Sequence, residues 1–442
     1  MKVLLVNPLW PRGRAGRRRF QRAWPPLDLL IAAAELRRRG HLPWVLDLRA
    51  ASSTADQRLS AARWAEMIVL QTTPMDRWQC PDLDLNALTG LASAWPTDRL
   101  VVAGAHGTLK PELILNLTKA KALIRGEPDL SIADLADAQG SPHGLAGLSY
   151  HAGEHLIHEP DRPWTDLADL PAPAYDLVNL KRYRYELLGP RLALLETSRG
   201  CPYSCTFCLK AMYGPRVRTK PLARIFAEIE ELLTRHHARN LYFMDLEFTA
   251  NRRAVADLCR ELIRWKRKFS WTCQTRLDAV DPDLLALMKS AGCSLIHFGI
   301  ESGSERILST VNKKLSMAQA GRALQWCEGL GLRTACFFLF GLPGETSDDR
   351  RATMSMARQL NPTFASFHIA APYPGTVLGR LTTTSSPFPA CLNPRNMVDL
   401  TRDIRRAFLS FYLRPGYLIG RPGPGRLNEH WQRLRLFWEF IR

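Results

Sequence analysis

Three cysteines, Cys201, Cys205 and Cys208, share the run Cys-Pro-Tyr-Ser-Cys-Thr-Phe-Cys. Thiolates this dense along a chain are soft ligands and select zinc or iron–sulfur. A structural zinc site wants a fourth protein ligand, usually from a nearby knuckle. None follows closely, since the next cysteine is Cys259, inside a helical pattern. Three thiolates on a four-iron cluster instead leave one iron open to a small molecule, and the spacing favours that chemistry. A zinc knuckle and three incidental buried cysteines are the alternatives. Ten cysteines in 442 residues do not make a disulfide scaffold. Cys259, Cys293 and Cys327 read as packing residues in helices or just before a strand.

The elements that carry the triad have a regular period. From residue 193 strand and helix alternate six times, a (β/α)6 pattern that is three-quarters of the eightfold barrel. Polar residues fall at the carboxyl ends of its strands, where such folds place their chemistry. The triad follows the strand at 192–196. Asp245 and Glu247 follow 241–244, and Gln274 and Arg276 follow 270–273. Glu301, Ser302 and Gly303 follow 295–300, Gly341-Leu342-Pro343-Gly344-Glu345 follows 334–340, and Pro372-Tyr373-Pro374-Gly375 follows 364–370. For Asp245 and Glu247 the rival reading is helix capping or salt bridging at the barrel rim.

Residues 1–140 read as a second α/β unit. Short apolar strands at 3–6, 44–46, 67–70, 100–103 and 122–125 alternate with helical stretches, so an open Rossmann-like (flavodoxin-like) sheet is expected. Such sheets bind ligands beyond their strands' carboxyl ends. Those tips are Asn7-Pro8, Gln71-Thr72-Thr73, Gly104-Ala105-His106-Gly107-Thr108 and Gly126-Glu127. No GxGxxG follows the first strand, so the dinucleotide fingerprint is absent. Gly104 and Gly107 either let the backbone approach a flat ligand or only make a tight turn. Residues 141–189, rich in Pro, Asp and Gly, read as an ordered linker. The barrel pattern covers 190–380, and a mostly helical segment covers 381–442. That last segment holds a basic amphipathic helix at 399–413 and an apolar-aromatic cluster of Trp431, Leu434, Leu436, Phe437 and Trp438. The cluster could seal the core, dimerise or touch a membrane surface.

Cys-x3-Cys-x2-Cys, with an aromatic just before the last cysteine, resembles the motif of the radical S-adenosylmethionine enzymes, and the order of landmarks over 190–380 agrees. The resemblance implies a [4Fe–4S] cluster on Cys201, Cys205 and Cys208, with S-adenosylmethionine chelated on its open iron and cleaved to a 5′-deoxyadenosyl radical. It implies that Phe207 lies near the adenine. Glu301, with Ser302, is then the polar contact to S-adenosylmethionine. Gln274 and Arg276 line the same pocket with Asp245 and Glu247, and the turn at Gly341 and Pro343 sits beside the adenine. The tips of the first unit resemble the cobalamin-binding domain of that superfamily. They imply cobalamin contacts from Asn7, Thr72, Thr73, Gly104, His106, Gly107, Thr108, Gly126 and Glu127. The Asp-x-His-x-x-Gly segment that supplies an axial histidine elsewhere is missing. Residues 72–78 are therefore expected to cover the lower face, with no protein imidazole on cobalt. The Tyr412-Leu413-Arg414-Pro415 run resembles the tail of the cobalamin-dependent members.

For function, the resemblance implies a cobalamin-dependent methyltransferase that places a methyl group on an unactivated carbon. The alternative is a non-methylating cyclase of the anaerobic Mg-protoporphyrin monomethyl ester type; hopanoid-processing enzymes share the plan. Methylthio transfer to tRNA is disfavoured, since neither additional cluster cysteines nor a compact RNA-binding tail is present. A non-catalytic cobalamin-binding module is the different-class alternative, and the cysteine triad argues against it. A flavodoxin or ferredoxin is the expected electron donor.

Composition bounds these readings. With 46% hydrophobic and 23% charged residues, wholesale disorder is excluded. The excess of 60 Lys and Arg over 42 Asp and Glu, +18 overall, favours an anionic partner or reflects genomic composition. A large apolar or anionic organic substrate is expected, and nucleic acid is not. No run approaches the roughly 20 apolar residues of a spanning helix, and the start is too short for a secretory signal. A cytoplasmic protein is expected, with peripheral membrane contact as the open alternative.

Overall fold

The structure, a computed structural model, describes residues 1–10, 23–50 and 54–418. The apolar-aromatic cluster at 431–438 lies outside the described residues. The chain divides into two compact units. The first is Met1–Tyr185, Gly189–Cys201 and Leu209–Met244; the second is Glu186–Leu188, Pro202–Cys208 and Asp245–Arg442.

The first unit is built on a seven-stranded sheet. Its strands are β1 (Lys2–Asn7), β2 (Leu42–Asp47), β3 (Met67–Gln71), β4 (Leu100–Ala103), β5 (Ala122–Ile124), β6 (Leu148–Ala152) and β7 (His155–His158), in the order β2-β1-β3-β4-β5-β6-β7. β1 to β5 are parallel, with Val3 opposite Pro43 on one side and Met67 on the other. A parallel sheet is covered on both faces, which is why Val3–Asn7 and Met67–Gln71 are buried at every position. The helix Leu27–Arg38 follows Pro25-Pro26 and is buried nearly all round. Leu4, Val6, Ile68, Leu70 and Val102 meet Trp95 and Ile114 in one core cluster.

β6 and β7 pair antiparallel and extend the sheet beyond β5. They lie within 141–189, the stretch read from sequence as linker. Leu148, Ser149 and Tyr150 are buried while His151 and Ala152 are exposed. Only three residues of this strand therefore carry an inward signal, too few to stand out among the prolines and glycines around them.

The first unit also holds a short ladder of β8 (Arg184–Tyr185) with β9 (Gly189–Pro190), and the parallel pair β10 (Leu192–Leu195) and β13 (Asn240–Phe243). A second ladder joins β11 (Ser198–Arg199) to β12 (Arg218–Thr219). The second unit carries β14 (Ser270–Thr275), β15 (Cys293–Glu301), β16 (Arg333–Phe340) and β17 (Phe364–Ile369), all parallel. The six core strands run in chain order, β10-β13-β14-β15-β16-β17. This is the expected partial barrel.

After it, the helix Met397–Tyr412 packs on β17. Tyr412 Oη donates to the Ala365 carbonyl at 2.8 Å and accepts from the Ala365 N–H at 3.1 Å. Arg414 donates to the Arg358 carbonyl and lies 4.3 Å from the Phe411 ring centroid. The Tyr-x-Arg-Pro run thus ties the helix Met397–Tyr412 to β17 and to the helix Ser347–Leu360. Among the described residues no helix is long and apolar enough to cross a membrane.

Candidate functional site

In the second unit β15 ends irregularly. Its register against β16 shifts between Gly299 and Glu301, and Glu301 adopts φ +72°, which is rare for a residue with a side chain. The carboxylate folds back over Gly299, where an added Cβ would collide with Glu301 Oε1 and lie 3.0 Å from Lys313 Nζ. A glycine there makes room for a buried ion pair, Lys313 Nζ to Glu301 Oε1 at 3.0 Å. Burial works against the Lys313 ammonium, but the Glu301 carboxylate and the Cys205 sulfur outweigh it and hold its pKa above the ordinary lysine value.

The segment just before Lys313 also fixes the cysteine loop. Thr206 N–H donates to the Val311 carbonyl at 3.0 Å, and Asn312 Nδ2 donates to Ser204 Oγ at 2.6 Å. Arg276 Nη1 donates to Cys205 Sγ at 3.5 Å. Asp278 holds the same guanidinium at 2.8 and 2.7 Å, and the Tyr203 ring centroid lies 4.1 Å away. A hydrogen bond from the Cys208 thiol is the largest influence on Cys205 and lowers its pKa; burial opposes it, and Lys313 and Arg276 reinforce it. The same bond pushes Cys208 up. Thiolate character is what a metal ligand needs, so this donor set fits an iron–sulfur cluster. Cys201 belongs to the first unit, is buried, and has its carbonyl held by Lys210 Nζ at 3.1 Å. Among the described residues no three His, Cys, Asp or Glu side chains converge to hold one metal ion. The thiolates of a four-iron cluster do not need to, because each binds a different iron.

The other residues expected from the barrel pattern are placed as follows. Phe207 packs against Ile307, Val311, Leu342, Ala370 and Leu378, which brings it together with the turn after β16. In that turn Gly341 N–H donates to Glu345 Oε2 at 2.6 Å, and Pro343 is half-buried. Burial pushes the Glu345 carboxyl up to about 7. Glu247 accepts from Thr249 Oγ1 at 2.9 Å and from Thr275 Oγ1, and burial raises its pKa. Its hydrogen-bond partners are hydroxyls; it stands at the N-cap of the single turn Phe248–Ala250, but its side chain makes no capping hydrogen bond to the backbone. Asp245 is fully buried. Gln274 Nε2 donates to the Leu246 carbonyl at 3.4 Å. Ser302 Oγ lies 3.3 Å from Thr353 Oγ1 and accepts from Ser304 N–H, so it secures the start of the next helix.

The tips of the first unit's sheet come close together. Thr72 Oγ1 donates to the Ala103 carbonyl at 2.9 Å. An added Cβ on Gly104, whose φ is +118°, would lie 2.7 Å from Thr73 N and 2.9 Å from Thr72 Oγ1. Gly107 likewise faces the Leu123 side chain. A side chain at either position would meet a neighbouring strand tip or strand. His106 is fully buried. Its Nδ1 lies 2.9 Å from Thr73 Oγ1 and 3.1 Å from the Thr72 carbonyl, and its Nε2 lies 2.7 Å from the Asp82 carbonyl. Both ring nitrogens are engaged by the protein. Thr108 Oγ1 accepts from Gly126 N–H at 2.9 Å.

Glu127 is buried and ion-paired to Arg218 at 2.6 Å and Arg199 at 3.3 Å. At the rim of β1 and β3, buried Asn7 Oδ1, Asp28 Oδ1 and Gln71 Oε1 have no hydrogen-bond partner. Asn7 Oδ1 and Gln71 Oε1 each need a donor from water or a bound molecule, and the amide side chains of a corrin ring carry such donors; burial pushes the Asp28 carboxyl up to about 8, so that group can donate as well.

Sequence reasoning missed Lys313, Tyr203 and Arg199. Lys313 precedes a second lysine in an apparently exposed loop, and nothing local says it is buried. Arg199 carried a readable signal: a charge directly between a buried strand and the first cysteine.

The family model for the radical SAM superfamily matches residues 195–357. An uncharacterised methyltransferase of Pyrococcus horikoshii is 32% identical over 340 residues, 72% of this chain and 73% of that protein. The anaerobic magnesium-protoporphyrin IX monomethyl ester cyclase of Rubrivivax gelatinosus is 28% identical over 62% of this chain, which spans about half of that protein, 51%. Among solved structures, the radical S-adenosylmethionine methyltransferase TsrM from Kitasatospora setae, with cobalamin and a [4Fe–4S] cluster bound, superimposes with a TM-score of 0.72. The match has 18% identity and covers 99% of both chains. The cobalamin-dependent radical enzyme OxsB gives 0.75 at 15% identity, over 100% of this chain and 72% of its own. The chain belongs to the same family as the Pyrococcus protein, and its residues 195–357 match the radical SAM superfamily.

Proposed function

We propose that this protein is a C-methyltransferase that uses S-adenosylmethionine and cobalamin to methylate an unactivated carbon of an organic substrate. The observation that carries methyl transfer is the likeness to the uncharacterised Pyrococcus methyltransferase, matched at 32% identity over 73% of its length. When bound, the cluster with S-adenosylmethionine supplies a hydrogen-abstracting radical and cobalamin supplies a transferable methyl group.

The chain's own part is to bind and orient. Cys201, Cys205 and Cys208 hold the cluster by the logic of their spacing, and Arg276 and Lys313 stabilise the Cys205 thiolate. Glu301, fixed by Lys313 in a left-handed conformation, is the polar anchor for S-adenosylmethionine, with Gln274 and the 341–345 turn beside it. Asn7, Gln71 and the 72–78 and 104–108 segments receive cobalamin at the rim of the first sheet. That rim is where the strand order reverses between β1 and β3, the usual binding crevice of open α/β sheets. A flavodoxin or ferredoxin serves as electron donor.

The second reading is an oxidative cyclase. It is supported by the cyclase of Cereibacter sphaeroides, which aligns over 86% of this chain at 24% identity. Methyl-labelled S-adenosylmethionine separates the two. Methyl transfer puts label in the product, with S-adenosylhomocysteine and 5′-deoxyadenosine both accumulating. An unlabelled product formed with 5′-deoxyadenosine alone would establish the cyclase reading instead.

A further inference from the structure

Arg199 is fully buried two positions before Cys201. Its Nη1 and Nη2 donate to Asp129 Oδ2 and Oδ1 at 2.6 and 3.1 Å, and its Nε and Nη2 donate to the two Glu196 oxygens at 2.8 Å. Glu127 Oε1 lies 3.3 Å from Nη1, and the guanidinium carbon lies 5.7 Å from the Trp78 ring centroid. Arg218 pairs with Arg199 across the β11–β12 ladder. It makes a second link, Nη2 to Glu127 Oε1 at 2.6 Å and Nη1 to Oε2 at 3.1 Å. All these residues lie in the first unit. Two arginines of one ladder therefore close on the loop that leaves β5.

Burying charge is tolerated only where geometry and hydrogen bonding are nearly complete. A planar guanidinium can engage two carboxylates edge-on at once, which an ammonium cannot. The next residue, Gly200, has φ +101°, and an added Cβ would collide with the Arg216 carbonyl. The Cys201 carbonyl is held by Lys210. The backbone entering the triad is thus clamped on several sides, and Arg199 is the group that joins it to Asp129 and Glu127.

We propose that Arg199 is a positioning residue for Cys201. Through Glu127 and Asp129 it locks the first thiol of the triad to the loop after β5 and to the first turn of the helix Pro128–Asp137 that follows it, and those residues serve the cysteine segment rather than a bound cofactor. The role of Cys201 as cluster ligand rests on the functional reading above; the lock itself does not.

The test uses the full chain under anaerobic conditions, with Arg199→Lys, Glu127→Gln and, as a control, Arg39→Gln. The control breaks a charge cluster with Glu35, Asp134 and Asp137 elsewhere in the first unit. Two readouts are taken. One is the rate of iodoacetamide alkylation of Cys201 against Cys205 in iron-free protein, by peptide mass spectrometry. The other is the paramagnetic resonance spectrum and iron retention of the reconstituted cluster. Arg199→Lys and Glu127→Gln are expected to raise Cys201 alkylation several-fold relative to Cys205, to shift the cluster signal and to shed iron faster, while Arg39→Gln changes none of these. If Arg199→Lys does not fold, Glu127→Gln decides, because glutamine keeps the shape of Glu127. Unchanged Cys201 reactivity and cluster signal in a folded variant, or an equal rise in Arg39→Gln, overturns the proposal. A wild-type chain that takes up no cluster fails the functional reading, while the alkylation comparison still decides the lock.

Discussion

Lys313 Nζ lies 3.0 Å from Glu301 Oε1 with both side chains buried, and Gly299 is the gap that lets the carboxylate fold back to meet it. Removing one partner leaves an uncompensated charge, so Lys313→Met should destabilise the chain by about 3–5 kcal/mol. Lys313→Met combined with Glu301→Leu should recover a large part of that loss. Urea unfolding of the two single variants and the double variant checks this. Equal stability of Lys313→Met and the double variant would contradict the pairing.

His106 should not ligate cobalt, because Thr73 Oγ1, the Thr72 carbonyl and the Asp82 carbonyl occupy its ring nitrogens. The paramagnetic resonance spectrum of the Co(II) form should show no nitrogen splitting that changes on ¹⁵N labelling of histidine. Burial also pulls the His106 pKa below its ordinary value. Below about pH 6.5, the usual histidine pKa, the unfolded chain then takes up a proton that the folded chain refuses. This contribution to stability is present above that pH and is lost as pH falls. His106→Gln should flatten the acid side of the stability profile relative to wild type; the same slope in both proteins would refute the assignment.

Iron content sorts the cysteines. Ala at Cys201, Cys205 or Cys208 should abolish stable cluster assembly. Ala at Cys259, Cys293 or Cys327, all buried in helices or at a strand start, should leave iron content unchanged and cost about 1 kcal/mol of stability from the small cavities. Iron and sulfide assay after anaerobic reconstitution reads both outcomes. Normal iron in any triad variant would sink the ligand assignment.

The fold was legible wherever burial imposes a period. Val3–Val6, Ile68–Leu70 and Leu100–Ala103 are continuous apolar runs because both faces of a parallel sheet are covered, and the six core strands repeat that logic. The triad was legible because ligand spacing is local. What escaped depends on contacts distant in sequence. β6 and β7 have too few inward residues to signal a strand. Lys313 looks like any loop lysine until Glu301 is seen to turn back towards it. Glu127 reads as a rim carboxylate until Arg218, 91 positions later, is placed on it.

The central claim is that this chain moves a methyl group from S-adenosylmethionine by way of cobalamin. The most direct measurement needs no substrate. Reconstituted protein is incubated anaerobically with hydroxocobalamin, a low-potential reductant and S-adenosylmethionine carrying a deuterated methyl group, and the bound corrinoid is read by mass spectrometry. The account predicts a deuterated methyl group on the corrinoid and S-adenosylhomocysteine in matching amount. Accumulation of 5′-deoxyadenosine with an unlabelled corrinoid and no S-adenosylhomocysteine would contradict it.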